Sequence, residues 1–328
     1  MKNVMKLMLI MGVSAVTLFN TGGGKAGTLS ADSLYQQVGT TSTGFSFDKG
    51  TTNLNLGNKI KTISVANRNG TIDFKQGDVK DIAVHMKVEV NHATKQEAKV
   101  VASKTKLQVK EGKTLDIGVY SVSYGKGNAS SPSVHLTITL PRKVNSDLHA
   151  EIKNGNISLS KVTGTGKIKI GSQNGNITAK EIGNDISLHT IDGIVYVSDA
   201  KKSVTATVTN GDIEANRISG ALHMETMNGD LTSKDALSSI KAATISGFIT
   251  IKSSKVGGDW DVSSTEGDVA LAWPEKAGVQ VNGTTSFGEI KTDFPLTVKD
   301  GSVTGKIGSG SYHIRASSEA GLLSLMKN

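Results

Sequence analysis

The chain has no cysteine among its 328 residues, only four prolines, and only 4% aromatic residues. The lack of cysteine excludes disulfide frameworks, thiol nucleophiles, thiolate metal sites and a lipidated cysteine. A chain of this length buries a sizeable core without such links. Glycine is abundant, with 37 residues, and 37% of the residues are apolar, which argues against a disordered tail. The composition therefore indicates a turn-rich, repetitive protein with a core.

The longest apolar run lies at the N-terminus and is short for a membrane span. Lys2 and Lys6 precede a run of 13 mainly apolar residues, 7–19. A membrane-spanning helix needs about 20 such residues. The pattern predicts a secretory signal peptide, and an uncleaved N-terminal anchor is the alternative because no sharp cleavage site follows. We assign residues 1–31 to this leader and its linker, and expect them to be helical or disordered and separate from the β core. The predicted location is extracellular or in the cell envelope.

The most informative feature is a short sequence motif, in which a glycine is followed by any one residue and then by an apolar residue. Successive glycines lie 18 to 22 residues apart, and a period in this range is typical of a solenoid. The glycines are Gly155, Gly175, Gly193, Gly211, Gly229, Gly247, Gly267, Gly288 and Gly310.

Apolar residues keep a constant position relative to these glycines. They recur seven residues before and two residues after each glycine, and small or aliphatic residues recur five before, which is the alternation of a strand with one buried face. A hairpin array is the competing interpretation, but the same phase returns after every repeat, as parallel stacking requires. We therefore predict an all-β fold, a single-stranded β-solenoid over residues 145–328. This register predicts that one buried column is formed by Ile177, Val195, Ile213, Leu231 and Ile249.

Residues 45–144 are also β-rich but less regular. The glycine motif occurs once in this region, at Asn69-Gly70, which predicts an atypical first coil. The segment from His92 to Gly127 is rich in lysine and is interpreted as a loop. We expect this region to cap the open end of the solenoid, because an uncovered sheet edge pairs with other chains.

Two stretches of the sequence resemble a known protein family. Residues 134–141 read Val-His-Leu-Thr-Ile-Thr-Leu-Pro, and the Leu148–Ile157 segment and serial Asn-Gly-Asp-Ile repeats follow. This resembles the bacterial β-strand-repeat family labelled "putative adhesin", a domain of unknown function that includes the LiaG proteins of Gram-positive envelope-stress operons. The resemblance covers about residues 45–328. It implies a right-handed parallel β-helix, export or membrane anchoring, and no catalytic residues to carry over.

Residues at the same position relative to the glycine in successive coils should lie about 4.8 Å apart. This spacing tests whether candidate functional residues come together in one site. His149, His189 and His223 do not fall in neighbouring positions of one column, so we interpret them as solvent-facing strand residues. Asp212 and Asp230 do share a column, and two adjacent carboxylates could hold calcium. We favour solvated turn residues there, since Asx side chains bond their own turn backbone. We assign no catalytic, cofactor-binding or metal-binding residue.

The leading hypothesis is an exported, non-enzymatic envelope protein that serves as an adhesin, surface-binding protein or scaffold, with a link to envelope stress implied by the resemblance. Its partner would be an envelope protein or an anionic wall polymer, since the formal charge of +8 favours anionic surroundings. Nucleic acid is not expected, and no cofactor is. One alternative is a polysaccharide lyase or hydrolase, which needs clustered outward carboxylates. The other is a self-assembling spacer, which a row of exposed aliphatic residues such as Ile191, Met227 and Ile245 would favour.

Overall fold

The computed structural model describes residues 15–17, 28–30, 44–164 and 166–328. Strands β1 (Ala15–Thr17) and β2 (Thr28–Ser30) pair antiparallel in a small sheet of their own. They lie in the predicted leader, where helix or disorder was expected, so that expectation is wrong at these two segments. Both carry β-branched residues, which favour extended pairing. The other leader residues lie outside the described part of the chain.

The N-terminal region is a β-rich cap with one helix. Its elements are β3 (Phe45–Leu54), β4 (Thr62–Gly77), β5 (Ile82–Val90), α1 (Lys95–Lys104), β6 (Lys106–Lys110), β7 (Thr114–Tyr120), a 3-10 turn (Lys126–Asn128) and β8 (Ser133–Pro141). Among the described residues, no helix has the length and apolarity needed to cross a membrane.

A regular β-solenoid follows, in which most coils consist of a long strand, a glycine corner and a second strand. The long strand β9 (Asp147–Ser160) forms one coil by itself. The next strands are β10 (Ile168–Asn174), β11 (Ile177–Lys180), β12 (Ile186–Asp192), β13 (Val195–Ala200), β14 (Val204–Asn210), β15 (Ile213–Ile218), β16 (Leu222–Asn228), β17 (Leu231–Ala236), β18 (Ile240–Ser246), β19 (Ile249–Lys252), β20 (Trp260–Glu266) and β21 (Val269–Trp273).

From β10 to β19, each strand pairs in parallel with the strand two places further along the chain, so the predicted register is confirmed. Ile177 lies opposite Val195, and the pairing continues in register through Ile213, Leu231 and Ile249, all at most 1% exposed. The residues seven before each glycine form a second buried column, with Leu222 opposite Ile240. The continuous core therefore lies between two parallel sheets, as the period-2 pattern predicts.

The glycine corner is held by close backbone contact and by side-chain ladders. Gly229 has φ +150°, and a Cβ there would lie 2.1 Å from the carbonyl oxygen of Gly211, so no other residue fits without displacement. On the solvent side, Asn228 Nδ2 donates to Asn210 Oδ1 at 3.0 Å. On the core side, Thr226 Oγ1 donates to the Gly211 carbonyl at 3.1 Å. The threonine bond satisfies a polar group that the corner would otherwise leave buried without a partner.

The first coil lies ahead of residue 145. β4 pairs in register with β9, with Gly70 opposite Gly155 and Ile72 opposite Ile157. The chain then leaves the solenoid to build the cap, in which β7 and β8 extend the two sheets in parallel and β5, β3 and β6 close them antiparallel. Between His92 and Gly127 the predicted loop is wrong, since α1, β6 and β7 form there because they cover the exposed end of the core.

The C-terminal coils stack out of chain order. Their strands are β22 (Val279–Thr285), β23 (Ile290–Thr292), β24 (Thr297–Lys299), β25 (Ser302–Ile307), β26 (Tyr312–Ala320) and β27 (Leu323–Lys327). β26 pairs in parallel with β20 on one side and β22 on the other, and β27 likewise lies between β21 and β23. The last coil of the chain is therefore inserted between the two coils that precede it.

This insertion corrects the ninth predicted repeat. Gly310 lies in the turn between β25 and β26, and Tyr312 is 36% exposed rather than in the buried column. The corner of the last coil is Gly321, which stacks on Gly267, and Leu323 takes the buried position. In all, the described residues form ten coils, and nine steps of about 4.8 Å give a rod of about 43 Å.

Candidate functional site

The histidines singled out from the sequence are not brought together. His149 and His223 face the same side of the sheet four coils apart, and His189 lies at a different phase. His223 Nε2 lies 3.6 Å from Glu225 Oε2, an exposed pair on one strand. Among the described residues, no group of three or more histidines and carboxylates has the geometry of a metal site.

The Asp212 and Asp230 column has a structural role. Asp212 Oδ1 accepts a hydrogen bond from the Asp230 backbone N–H at 2.8 Å, and Asp230 Oδ1 accepts one from Phe248 N–H at 2.8 Å. The same bond recurs at the equivalent asparagines, where Asn176 Oδ1 accepts from Ile194 N–H at 2.9 Å. These side chains therefore link each corner to the next coil, and asparagine serves as well as aspartate.

An open groove of about 820 Å³ runs along the second corner of the coils. Three of the charged side chains that line it, those of Lys161, Glu181 and Asp199, belong to a column of non-glycine residues with left-handed φ of 53° to 58°. Its members are Lys161, Glu181, Asp199, Arg217 and Asp235. Left-handed φ costs such residues roughly 1 to 2 kcal/mol each, so the corner geometry is imposed by the stack.

Ion pairs within this column neutralise much of its charge. Arg217 donates two hydrogen bonds to Asp199, at 2.6 and 2.7 Å, and this guanidinium holds the pKa of the Asp199 carboxyl below its usual value. Hydrogen bonds from Ser254 lower the pKa of Asp235. Lys161 lies 4.0 Å from Glu181. The charged side chains of the column therefore pair with other protein groups, while Arg142 and Lys201 add positive charge to the groove.

Charge is segregated along the chain, and the excess lies in the cap. Residues 44–143 carry 16 lysines and arginines against 8 aspartates and glutamates, whereas residues 144–328 carry 18 against 20. Seven lysines fall in the segment from α1 to the 3-10 turn, and all seven are exposed. They are Lys95, Lys99, Lys104, Lys106, Lys110, Lys113 and Lys126. We call these residues the cap lysines.

The cap lysines have no acidic partner among the ion pairs of the described residues. Three apolar side chains, Val100, Val109 and Tyr120, are exposed among them, at 42%, 37% and 49%. The surface therefore combines free ammonium groups with scattered apolar contacts, which suits an anionic partner more than a cationic one.

Hydrogen bonds fix the scaffold that displays these lysines. Thr94 caps α1 by accepting from the Glu97 N–H at 3.2 Å, and Glu97 Oε1 accepts from the Gly125 N–H at 3.0 Å. The Tyr124 hydroxyl donates to the Asn91 carbonyl at 2.8 Å, so the loop after β7 is joined to the entry of the helix. Lys49 Nζ donates to the Ala102 carbonyl at 2.9 Å.

The sequence does contain a signal for this helix. Thr94-Lys-Gln-Glu97 matches the Ser/Thr-x-x-Glu spacing of a capping box, and Ala98, Val101 and Ala102 form its buried side. The high lysine content concealed this short apolar stripe, because charged residues dominate the segment's average hydropathy.

Comparison with known proteins decides the family. The Toastrack DUF4097 family model matches residues 60–325, from just before β4 into β27. The chain belongs to the Toastrack DUF4097 family. The match spans the cap as well as the solenoid, and it confirms the resemblance to a domain of unknown function with a β-helical fold. No curated protein matches the chain.

Three solved structures are similar to this Toastrack chain. A "putative cell adhesion protein" from Clostridium sporogenes ATCC 15579 is 11% identical, covers 87% of this chain and 100% of its own, and has a TM-score of 0.22. A "putative adhesin" from Bacteroides fragilis NCTC 9343 is 14% identical over 87% and 97%, with a TM-score of 0.40. A "putative lipid binding protein" from Parabacteroides distasonis ATCC 8503 is 12% identical over 86% and 96%, with a TM-score of 0.26. Similarity at this level does not extend to ligand or chemistry.

Proposed function

We propose that this Toastrack protein is an exported, non-enzymatic protein of the cell envelope that binds anionic wall polymers through the cap lysines. The observation that carries the proposal is the segregation of charge, with all of the net positive charge of residues 44–328 in the cap. The solenoid then acts as a rigid extension of about 43 Å that holds its far end away from the bound polymer.

The electrostatics of the cap support a polyanion as the partner. Seven exposed lysines without acidic partners require no internal ion pair to be broken before they contact phosphate or carboxylate groups. Lysine acts as a mobile point charge, which suits a flexible polymer of repeating anionic groups better than one rigid anion. Release of counterions from such a polymer adds to the binding and makes it salt-dependent.

The location of the leader supports the envelope as the site of action. The described cap begins at β3, directly after the predicted leader and linker, so an uncleaved anchor would hold the cap close to the membrane and the wall that surrounds it. If the leader is cleaved, the cap lysines alone would retain the protein at the wall. Both cases place the cationic end toward the anionic surface.

The distribution of polar groups supports a non-enzymatic role. Hydrolases and lyases on β-helices need several carboxylates in one cleft. Here Asp212 and Asp230 are engaged in corner hydrogen bonds, and Asp199 is paired with Arg217. Turnover should therefore be undetectable on pectin-like, peptidoglycan and teichoic-acid substrates, and turnover that is lost in Glu225→Ala or Asp212→Asn would contradict this.

The test is binding of purified residues 44–328 to immobilised teichoic acid at several salt concentrations. We expect saturable binding that weakens steeply with salt and that falls about tenfold or more in the Lys99→Gln/Lys106→Gln/Lys110→Gln variant. The matched control removes the same charge from exposed solenoid positions, Lys169, Lys241 and Lys252. Equal losses in both triple variants would reduce the interaction to net charge and refute a specific role for the cap. Binding to anionic vesicles but not to teichoic acid would also refute the proposal, in favour of a membrane surface.

A further inference from the structure

The far end of the solenoid carries a shallow cleft on its outer face, about 43 Å from the cap along the rod. The cleft has a volume of about 270 Å³ and is formed by three neighbouring strands, β20, β26 and β22. Ser263, Ser317 and Thr284 lie side by side across these strands and form its outward-facing floor. The insertion of the last coil creates this arrangement, because β26 lies between the other two strands.

Larger polar side chains bound the floor along the strand direction. At one edge Asp261, Arg315 and Asn282 lie side by side. At the other edge is Glu319, four residues beyond Arg315, or about 13 Å along the strand. Neither Arg315 nor Glu319 takes part in an ion pair within the described part of the chain. The cleft therefore offers a balanced set of free donors and acceptors rather than one sign of charge.

An exposed aromatic ring adjoins the Glu319 edge. Phe287 is 84% exposed, the largest exposed fraction among the large hydrophobic residues of the described chain. Its backbone N–H donates to the Glu319 carbonyl at 2.9 Å, which ties it to the cleft. Its neighbours at the same corner position are the small Ala320 and the polar Glu266, where the inner coils have asparagine, aspartate or serine. Within the described part of the chain, the ring is left largely open to solvent.

We propose that this cleft binds a neutral saccharide chain. A sugar ring has an apolar face that stacks on an aromatic ring and a rim of hydroxyl groups that donate and accept hydrogen bonds. Phe287 provides the stacking surface, and Glu319, Arg315 and the hydroxyl floor provide partners of both kinds. A polyanion does not fit this end, because two carboxylates, Asp261 and Glu319, outnumber the single guanidinium. An extended lipid or peptide helix would need a wider apolar surface than one ring.

The proposal is tested with the chain 44–328 and a panel of neutral oligosaccharides that includes chitotetraose and maltotetraose, by calorimetry and by NMR. We expect saturable binding of at least one probe, weakened about tenfold in Phe287→Ala, since one stacked ring contributes roughly 1.4 kcal/mol. Glu319→Gln should also weaken binding. Phe287→Trp should retain binding and report it by fluorescence, since Trp260 and Trp273 are both buried.

The matched control is Phe248→Ala, which removes another exposed ring, 53% exposed, three coils from Phe287 and outside the cleft. Binding should be unchanged in this variant and in the triple variant of the cap lysines, and it should persist in high salt. Loss of binding in Phe248→Ala equal to that in Phe287→Ala would overturn the proposal, as would no binding to any member of the panel. Teichoic-acid binding by Phe287→Ala should stay normal, so the two proposals fail independently.

Discussion

Stability should depend on position within the coil, and two leucines allow a direct comparison. Leu231 lies in the buried column after the glycine corner and is 0% exposed, whereas Leu237 lies near the second corner of the same coil and is 38% exposed. Each can be changed to alanine, so the chemical change is identical and only the surroundings differ.

The expected magnitudes follow from enclosure. Leu231 packs between Ile213 and Ile249 in the coils on either side, which cannot close together because their backbones are hydrogen-bonded at fixed spacing. Leu231→Ala should therefore leave a cavity and cost about 3 to 5 kcal/mol, near the top of the range for this change. Leu237→Ala opens onto solvent and should cost about 1 kcal/mol or less. Leu231→Asp also buries an unpaired charge and should cost about 5 kcal/mol or more.

The assay is urea unfolding of all variants, followed by far-UV circular dichroism and by the fluorescence of Trp260 and Trp273, which lie two coils from Leu231. Glu225→Ala, on the solvated face, should stay within about 0.5 kcal/mol of the parent protein. Equal losses for Leu231→Ala and Leu237→Ala would refute the assigned phase. So would a loss below about 1 kcal/mol for Leu231→Ala.

Three further outcomes are expected. Gly229→Ala should destabilise the protein by about 2 kcal/mol or more in urea unfolding, because its Cβ would collide with a neighbouring carbonyl, while Gly57→Ala, with open space around it, should be nearly neutral. Truncation before β26 should reduce hydrogen-exchange protection in β22, which then keeps only its antiparallel pairing with β25, and leave β10 to β14 protected; unchanged protection throughout β22 would contradict the inserted order. The pKa of Asp199, read by carboxyl NMR, should lie below its usual value and return toward it in Arg217→Gln. Because the folded-state pKa is lowered, the pair's contribution to stability is present above the unfolded pKa and is lost as pH falls through the folded one. An unchanged Asp199 pKa in Arg217→Gln would refute the assigned cause.

The central coils were predictable because their stacking repeats one buried pattern. A β-branched or aliphatic residue two places after each glycine has only one side of the strand on which it can be buried, so Ile177 to Ile249 fall into register without further information. The corner glycines were predictable for the same reason, since each must approach the backbone of its neighbour.

The order of the last coils could not be predicted from the glycine motif. Ile314, Ala316 and Leu323 keep the normal phase relative to Gly321, but the corner reads Ala-Gly-Leu rather than Asn-Gly-Asp. Gly310 offered a closer match at a suitable spacing. The position of each residue relative to the corner glycine determines the shape of a coil, but it does not determine which coil lies next to it. For that reason the proposed saccharide cleft and the role of Phe287 could not be predicted from the sequence either.

The inserted last coil bears on how the chain is made. During synthesis the ribosome releases β20 to β25 before β26 and β27, so a nascent chain can stack its coils only as far as β21 in their final order. The β22 strand gains its inner native neighbour only after β26 emerges, although β25 already pairs with it on the other side. A product that stops early would therefore present two unpaired parallel edges, which are sites for aggregation and proteolysis. A complete far end of the solenoid therefore requires that translation has passed β27.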